Sequence, residues 1–414
     1  MLLDFDAKHA LLLQGPQGPF FSRFAEELRG RGIRVTKVNF HAGDGLFYRG
    51  SRSDDVIPFR GRMEEWPAVF RELVNERGID AVFVFGDMRP IHRPAVRIAK
   101  QLGIAVWVFE EGYLRPNHIT LERGGVNGNS SMPKDAEFFR REAKGLSEPA
   151  APVPIGRTLF YSGLWASLNS IMMTLFWWRY RHYKHHRYMN CLYHFWCRCR
   201  SRWRKHWYAF RQRKYRPLLT GELSGKFFFV PLQVHCDAQL LHAPYSTMEE
   251  LIEDIISSFA KHTSEDTYLV FKHHPLDRGY RNYTRFIRNM GKRYHCGARV
   301  IYTHDLHVPT LLDHARGTIT MNSTVGTQSL QASTPLKVLG TAVYDIEGLT
   351  HPGSLAEFWA NPGEVDAELY DCFRLWLLAT NQINGSFYKR ADGLPKESGL
   401  QLTAEPQRSL IGES

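Results

Sequence analysis

Val106-Trp107-Val108-Phe109-Glu110-Glu111-Gly112-Tyr113-Leu114-Arg115-Pro116 decides how this chain is read. An apolar run of strand character breaks off into two carboxylates, a glycine that lets the backbone turn, and an arginine. In an open α/β sheet, ligands bind outside the carboxyl ends of the strands. Just upstream, Ala81 to Phe85 is a second apolar run, and it stops at Gly86-Asp87-Met88-Arg89-Pro90. The two runs end in the same grammar of acid, glycine, arginine and proline. Parallel neighbours ending alike would set Asp87, Arg89, Glu110, Glu111 and Arg115 on one rim of a sheet.

Outward from that rim the pattern is α/β on both sides. Ala10 to Gln14 reads as a strand, Gly15-Pro16-Gln17-Gly18-Pro19 as a loop, Phe20 to Leu28 as a helix and Ile33 to Phe40 as the next strand. That is the opening of a doubly wound sheet. The Gly15–Gly18 loop lacks dinucleotide-fingerprint spacing and reads as one wall of a cleft. His118 to Ser131, with Asn127 among its glycines, reads as a loop folding over the rim. The pattern resumes at Phe227 to Leu232, followed by Gln233 and Asp237. It continues with Tyr268 to Lys272 ending in His273-His274-Pro275, and with Gly317 to Met321 leading into Asn322-Ser323-Thr324. Leu355 to Leu378 reads as one helical stretch, and the tail after Gly393 as disordered. The expected organisation is a Rossmann-like domain over 1–153, a basic aromatic helical insertion over 154–222 and a second Rossmann-like domain over 223–354. Helices packing back over 355–392 and a tail over 393–414 would complete it.

Charge is unevenly spread. The net charge is +11, yet residues 157–216 alone carry 14 Lys and Arg and no Asp or Glu, so the remaining chain is slightly acidic. The basic residues alternate with aromatics: Trp177, Trp178, Arg179, Arg181, Lys184, Trp196, Arg198, Trp203, Arg204, Lys205 and Trp207. Rings favour the bilayer interface and cations favour anionic headgroups, each basic residue contributing roughly 1 kcal/mol near such a surface. An anionic membrane lipid is therefore the expected partner. Nucleic acid, which also takes stacked rings and arginines, is the rival and is disfavoured by the apolar run Leu159 to Phe176 that precedes them. No stretch reaches the roughly 20 apolar residues of a spanning helix, and no signal peptide is expected. Six cysteines without an even framework point to reduced thiols, and Cys191, Cys197 and Cys199 lack zinc-ligand spacing.

Two halves with polar groups at successive strand ends describe an enzyme acting across a cleft. Hydroxyls and His274 suit an anionic leaving group, and carboxylates flanking a sugar carbon suit glycosyl transfer. Each residue also has a structural reading: His274 as a turn residue, Ser323 and Thr324 as a helix cap.

Several stretches together resemble the capsule polysaccharide biosynthesis family of the KpsS/LipB type. They are Leu13-Gln14-Gly15-Pro16-Gln17-Gly18-Pro19-Phe20-Phe21, Phe85-Gly86-Asp87-Met88-Arg89-Pro90, Glu110 to Pro116, Gly125-Val126-Asn127-Gly128-Asn129-Ser130, Pro231-Leu232-Gln233-Val234 with Asp237, Lys272-His273-His274-Pro275, and Asn322-Ser323-Thr324-Val325-Gly326. The resemblance spans roughly Leu11 to Trp359. It implies a GT-B-like glycosyltransferase moving 3-deoxy-manno-octulosonic acid (Kdo) from the nucleotide sugar CMP-Kdo to a phosphatidylglycerol-type lipid, starting the β-Kdo linker of a capsule. It further implies a retaining mechanism with Asp237 as nucleophile, and Glu111 or Glu110 acting on the acceptor. Gln233, Lys272, His274, Pro275, Asn322, Ser323, Thr324 and Arg115 would hold the donor, and Gly15, Gly18, Asp87, Arg89 and Asn127 would line the acceptor side. The expected setting is the cytoplasmic face of the inner membrane, beside other capsule biosynthesis and export proteins. Neither cofactor nor metal is expected, since no Asp-X-Asp motif stands at a strand end. A non-catalytic scaffold of the export machinery, or a GT-B enzyme using another nucleotide sugar, remain the alternatives.

Overall fold

The computed structural model describes residues 7–48, 56–185, 190–236, 243–390, 393–394 and 399–402. The chain forms two compact units. The first gathers the chain to Ser131, Ala143–His194 and Arg374 onward; the second gathers Met132–Glu142 and Phe195–Phe373.

In the first unit the chain makes β1 (His9–Leu12), β2 (Arg34–Asn39), β3 (Val56–Pro58), β4 (Ala81–Phe85), β5 (Ala105–Glu111) and β6 (His118–Arg123). The second unit contributes β7 (Phe227–Pro231), β8 (Tyr268–Lys272), β9 (Val300–Thr303), β10 (Gly317–Thr320) and β11 (Leu336–Val338). The chain then returns to the first unit with β12 (Gln382–Gly385) and β13 (Leu400–Leu402). The first sheet runs β13-β12-β6-β5-β4-β1-β2-β3, the second β11-β10-β7-β8-β9. Both are Rossmann-like: every pairing in the second sheet is parallel, and in the first only β6, β12 and β13 are antiparallel. The fold is α/β.

Side-chain alternation explains why these strands read as unbroken apolar runs. In β1, Ala10 and Leu12 enter one buried cluster while Leu11 enters another; in β4, Phe83 and Val82 divide likewise, and in β5 Phe109 and Val108. Helices cover both faces, so neither face is left polar. Phe109 meets Phe20 and Phe24 edge-on, with ring centroids 5.2 and 5.1 Å apart. Phe387, from the C-terminal part of the chain, closes the same cluster 4.9 Å from Phe20.

The order of the strands fixes where a ligand belongs. From β1 the chain moves one way to β2 and β3, then crosses back to lay β4 and β5 on the opposite side, so the direction reverses between β1 and β4. In the second sheet it reverses between β7 and β10. Open α/β sheets bind ligands at such reversals.

Several sequence expectations are corrected. β5 does not stop at Phe109 but carries Glu110 and Glu111 within the strand, paired with Thr120 and Ile119 of β6. The stretch from His118 is therefore a strand before it is a loop, Ile119 and Leu121 facing inward. Leu355–Leu378 is two helices, Leu355–Ala360 and Ala367–Thr380, separated by Asn361-Pro362-Gly363, where the proline forbids a continuous helix. Part of the tail, Leu400–Leu402, adds a strand beside β12. Nor do the units divide at 153 and 222. Residues 143–194 go with the first unit and Phe195–Phe373 with the second.

Candidate active site

At the reversal in the first sheet, Arg89 ties the end of β4 to the end of β1. Its Nη1 donates to Gln14 Oε1 at 3.1 Å and to the Gly15 carbonyl at 3.2 Å, and its guanidinium lies 4.7 Å over the Phe85 ring. Gln14 in turn donates to the Tyr183 hydroxyl at 2.8 Å. Asp87 accepts from Asn129 Nδ2 at 2.9 Å and from the Val126 amide at 3.3 Å, so the loop after β6 does fold onto the rim. The Asn127 amide donates to Tyr113 Oη at 2.7 Å. Burial first, and then the Glu122 carboxylate, push that phenol well above its ordinary pKa. Gly15 and Gly18 have packing reasons of their own. A Cβ at either would come within 2.9 Å of an aromatic ring, Phe21 for Gly15 and Trp165 for Gly18.

The two glutamates are separated by the strand that carries them. Successive residues of a strand point to opposite faces. Glu110 points to the Asp87–Tyr113 side and accepts from the Glu111 amide at 3.0 Å. Glu111, on the Phe109 side, accepts from Tyr388 Oη at 2.7 Å and lies 3.3 Å from Arg115 Nη1. The two carboxylates expected as alternatives for the acceptor, Glu110 and Glu111, therefore have different surroundings. Tyr388 and Gln382, whose Oε1 receives the Tyr113 and Leu114 amides, went unseen in the sequence because they lie far along the chain behind two helices.

A buried polar cluster beside Arg89 was also missed. His41 starts the short helix Ala42–Phe47 and accepts the Asp44 amide on Nδ1 at 3.2 Å, while Asp44 accepts the Phe40 amide at 2.9 Å. Burial lowers Lys37 to about 8 and His92 to about 3; His92 Nδ1 donates to the Gly86 carbonyl at 2.6 Å. Although burial acts to raise Asp44, His41, Lys37 and the Phe40 amide hold it below the usual carboxylate range. The signal was present: Asn39-Phe40-His41 is a strand ending in polar residues, like the two strands read as the rim.

At the reversal in the second sheet, Gln233 and Asn322 exchange hydrogen bonds from the ends of β7 and β10. Gln233 Nε2 donates to Asn322 Oδ1 at 3.0 Å, and the Asn322 amide to Gln233 Oε1 at 3.4 Å. The Ser323 hydroxyl accepts the Val325 amide at 3.2 Å, although the helix that begins there has Thr324 at its N-cap without a side-chain cap, and Tyr344 Oη donates to the Ser323 carbonyl at 2.5 Å. Gly326 lies beneath Tyr344, where a Cβ would come within 2.3 Å of the ring. The Thr324 carbonyl accepts from the Thr327 hydroxyl at 2.8 Å. After β8, His274 Nδ1 accepts the Leu276 amide at 3.2 Å, and Pro275 opens the one-turn 3-10 helix Pro275–Asp277. Lys272 is buried, and burial lowers it to about 8. Asp237 lies outside the described residues, which resume at Ala243.

The basic aromatic segment has two inward anchors and two outward faces. In the first unit, the helix Thr158–Leu175 buries Asn169 and Ser170 and exposes Leu159, Phe160, Ile171 and Leu175, the reverse of a soluble amphipathic helix. Gly43 meets it closely: a Cβ there would lie 1.8 Å from Asn169 Oδ1. Trp177 and Trp178 follow, also exposed, and Arg179, Arg181 and Lys184 are exposed beyond them. The helix Cys191–Arg211 enters the second unit at Phe195 and turns Cys197, Arg200, Arg204 and Tyr208 inward. Arg200 Nε donates to the Gly279 carbonyl at 2.6 Å and Arg204 Nη1 to the Arg278 carbonyl at 2.8 Å; Tyr208 stacks 3.5 Å from the His304 ring. Arg204 therefore leaves the surface set. Trp196, Arg198, Trp203, Lys205 and Trp207 stay on the outer side, Trp203 stacked on Trp207 at 5.7 Å. Among the described residues no helix is long and apolar enough to cross a membrane.

A family profile described as "Capsule polysaccharide biosynthesis protein" matches residues 80–388, from the residue before β4 to Tyr388. The chain belongs to that family. It is 40% identical over 386 residues to the Escherichia coli capsule polysaccharide export protein KpsS, covering 92% of this chain and 97% of that protein. It is 38% identical over 397 residues to the capsule polysaccharide modification protein LipB of Neisseria meningitidis serogroup A, covering 93% and 92%. Among solved structures it is similar to a β-Kdo 2,4 transferase, KpsC of Thermosulfurimonas dismutans, at 14% identity with a TM-score of 0.37, covering 77% of this chain and 82% of that one. The matched span takes in β4, the whole β7/β10 reversal and β12 of the C-terminal return into the first sheet.

Proposed function

We propose that this protein is a glycosyltransferase that moves Kdo from CMP-Kdo to a phosphatidylglycerol-type lipid, beginning the β-Kdo linker of a capsular polysaccharide. The observation that carries the reading is the Gln233–Asn322 pair across the β7/β10 reversal. Its amide groups stand at the strand ends where an α/β sheet receives a nucleotide, with Asp237 four residues beyond Gln233 in the sequence. Membership of the capsule family supplies the biological class.

The step is a double displacement with retention. The Asp237 carboxylate forms a bond to the anomeric carbon as the bond to the CMP phosphate breaks, its electron pair leaving on the phosphate oxygen. The lipid hydroxyl then attacks the same carbon, giving its proton to a carboxylate and releasing Asp237. His274, Asn322, Ser323 and Thr324 hold CMP, and Arg115 meets the Kdo carboxylate. No metal is assigned to the step, and EDTA treatment is expected to leave turnover intact; loss of turnover restored by magnesium would overturn this. The outward Trp, Lys and Arg side chains hold the protein on the anionic cytoplasmic face of the inner membrane.

The test is product analysis with CMP-Kdo and phosphatidylglycerol vesicles, alongside intact mass of the protein. A Kdo-lipid product with an adduct mapping to Asp237 is expected. Folded protein that gives neither product nor adduct sinks the transferase reading. The word "export" in the name of one relative favours a second reading, a non-catalytic component of the export machinery. Asp237→Ala separates the two: it lowers turnover at least about a thousandfold in a transferase with a covalent step, and leaves capsule export unchanged in a scaffold.

A further inference from the structure

His235 and Asp277 form a pair to which nothing above gives a role. Asp277 is completely buried, and both its oxygens are spent on one partner: Oδ1 accepts His235 Nδ1 at 2.6 Å, and Oδ2 accepts the His235 amide at 3.2 Å. The imidazole itself remains about a quarter exposed, at 26%. The carboxylate is held by a rigid turn. Pro275 fixes its start, the Asp277 amide returns to the His274 carbonyl at 3.0 Å, and the Asp277 carbonyl receives the amides of Tyr280 at 2.8 Å and Arg281 at 3.0 Å. His235 stands two residues beyond Gln233, at the carboxyl end of β7 and so at the β7/β10 reversal.

A buried carboxylate that grips one ring nitrogen of an exposed histidine fixes the orientation of the other. With Nδ1–H committed to Asp277, Nε2 is the atom offered outward. When Nε2 carries a proton the ring is a cation, and the buried carboxylate balances its charge. We propose that His235 contacts the phosphate of the nucleotide donor through Nε2, with Asp277 as the residue that positions it. This rests on the donor reading above and deepens it. As the bond between the anomeric carbon and the phosphate oxygen breaks, the electron pair stays on that oxygen. His235 Nε2–H donates a hydrogen bond to the phosphate without transferring its proton, stabilising the growing charge. The His-Pro turn thereby acquires a second duty, since the residue two beyond Pro275 aims a histidine from a different strand end.

Calorimetric titration of the full chain with CMP and with cytidine tests this, because the two probes differ only in the phosphate. His235→Ala is expected to weaken CMP binding about tenfold or more, the loss of one charge-assisted hydrogen bond, and to leave cytidine binding unchanged. Asp277→Asn, which keeps the volume of the buried side chain, is expected to shift CMP in the same direction by a smaller factor, again sparing cytidine. His235→Ala that binds CMP as tightly as the wild type, or that weakens CMP and cytidine equally, overturns the inference while the donor reading stands. Wild-type protein that binds neither probe overturns the donor reading, and this inference with it.

Discussion

The two strand reversals are alike in topology and opposite in chemistry. At β1/β4 the groups are ionic: Arg89, Asp87, Glu110 and Glu111, backed by a buried Lys37–His41–Asp44 cluster. At β7/β10 they are mainly amides, hydroxyls and histidines, with one buried carboxylate, Asp277, held on His235, and Lys272 is buried. A leaving phosphate brings its own charge and needs donors that are already oriented. A hydroxyl acceptor brings none and needs a group that can take its proton. Each reversal therefore suits a different reactant, and the sharpest tests are those that move one rim while sparing the other.

The largest effect is expected at β5. Glu110 and Glu111 point to opposite faces, so only one can serve the acceptor. Glu111, with Tyr388 and Arg115 as partners and part of its carboxylate exposed, is the one assigned. Glu111→Gln should lower kcat/KM for the lipid acceptor about a hundredfold, the usual contribution of a general base, with CMP affinity untouched. Glu110→Gln should stay within a few-fold of wild type. Steady-state kinetics showing the reverse order would move the acceptor chemistry to the Asp87 face of the same strand.

The second rim gives a smaller effect of opposite sign. Burial lowers Lys272 from 10.5 to about 8. Between those values the unfolded chain holds more protons than the folded one, so this group's contribution to stability rises with pH across that window. Below about pH 8 the full penalty is present. Lys272→Met should therefore stabilise the protein by on the order of 2 kcal/mol at pH 7, and hardly at all above about pH 10.5, as read from urea unfolding at both pH values. Unchanged CMP affinity in the same variant makes Lys272 a core residue; lost affinity restores it to the donor site.

Lys272 also marks where the sequence stops being informative. Strand positions were legible because both faces of each sheet are covered, which leaves unmistakable apolar runs such as Phe227–Val230 and Ala81–Phe85. The reversals could be placed because polar residues follow those runs directly. Direction of side chains was not legible. Whether β5 ended before or after Glu111 decided which face each glutamate took, and two charged residues inside a strand look the same in sequence as two beyond it. Tyr388 and Gln382 are long-range partners with no local signature. The His235–Asp277 pair is another such case, joining a strand end to a turn forty-two residues on.

The smallest effect concerns the surface, where the inner and outer sides of one helix differ as the two rims do. Arg204 is tied to the Arg278 carbonyl while Trp203, its neighbour in sequence, points outward and stacks on Trp207. Replacing Trp203 and Trp207 together by Ser should weaken partition onto phosphatidylglycerol vesicles by about tenfold and leave the thermal midpoint alone, since neither ring is packed in the core. Arg204→Gln should do the opposite, lowering the midpoint while partition holds. Co-sedimentation with anionic and with neutral vesicles separates the two contributions. Loss confined to anionic vesicles would assign the binding to charge, and equal loss on both would assign it to the rings. Partition that survives the tryptophan changes on both would leave the inside-out helix Thr158–Leu175 of the first unit as the surface that meets the lipid.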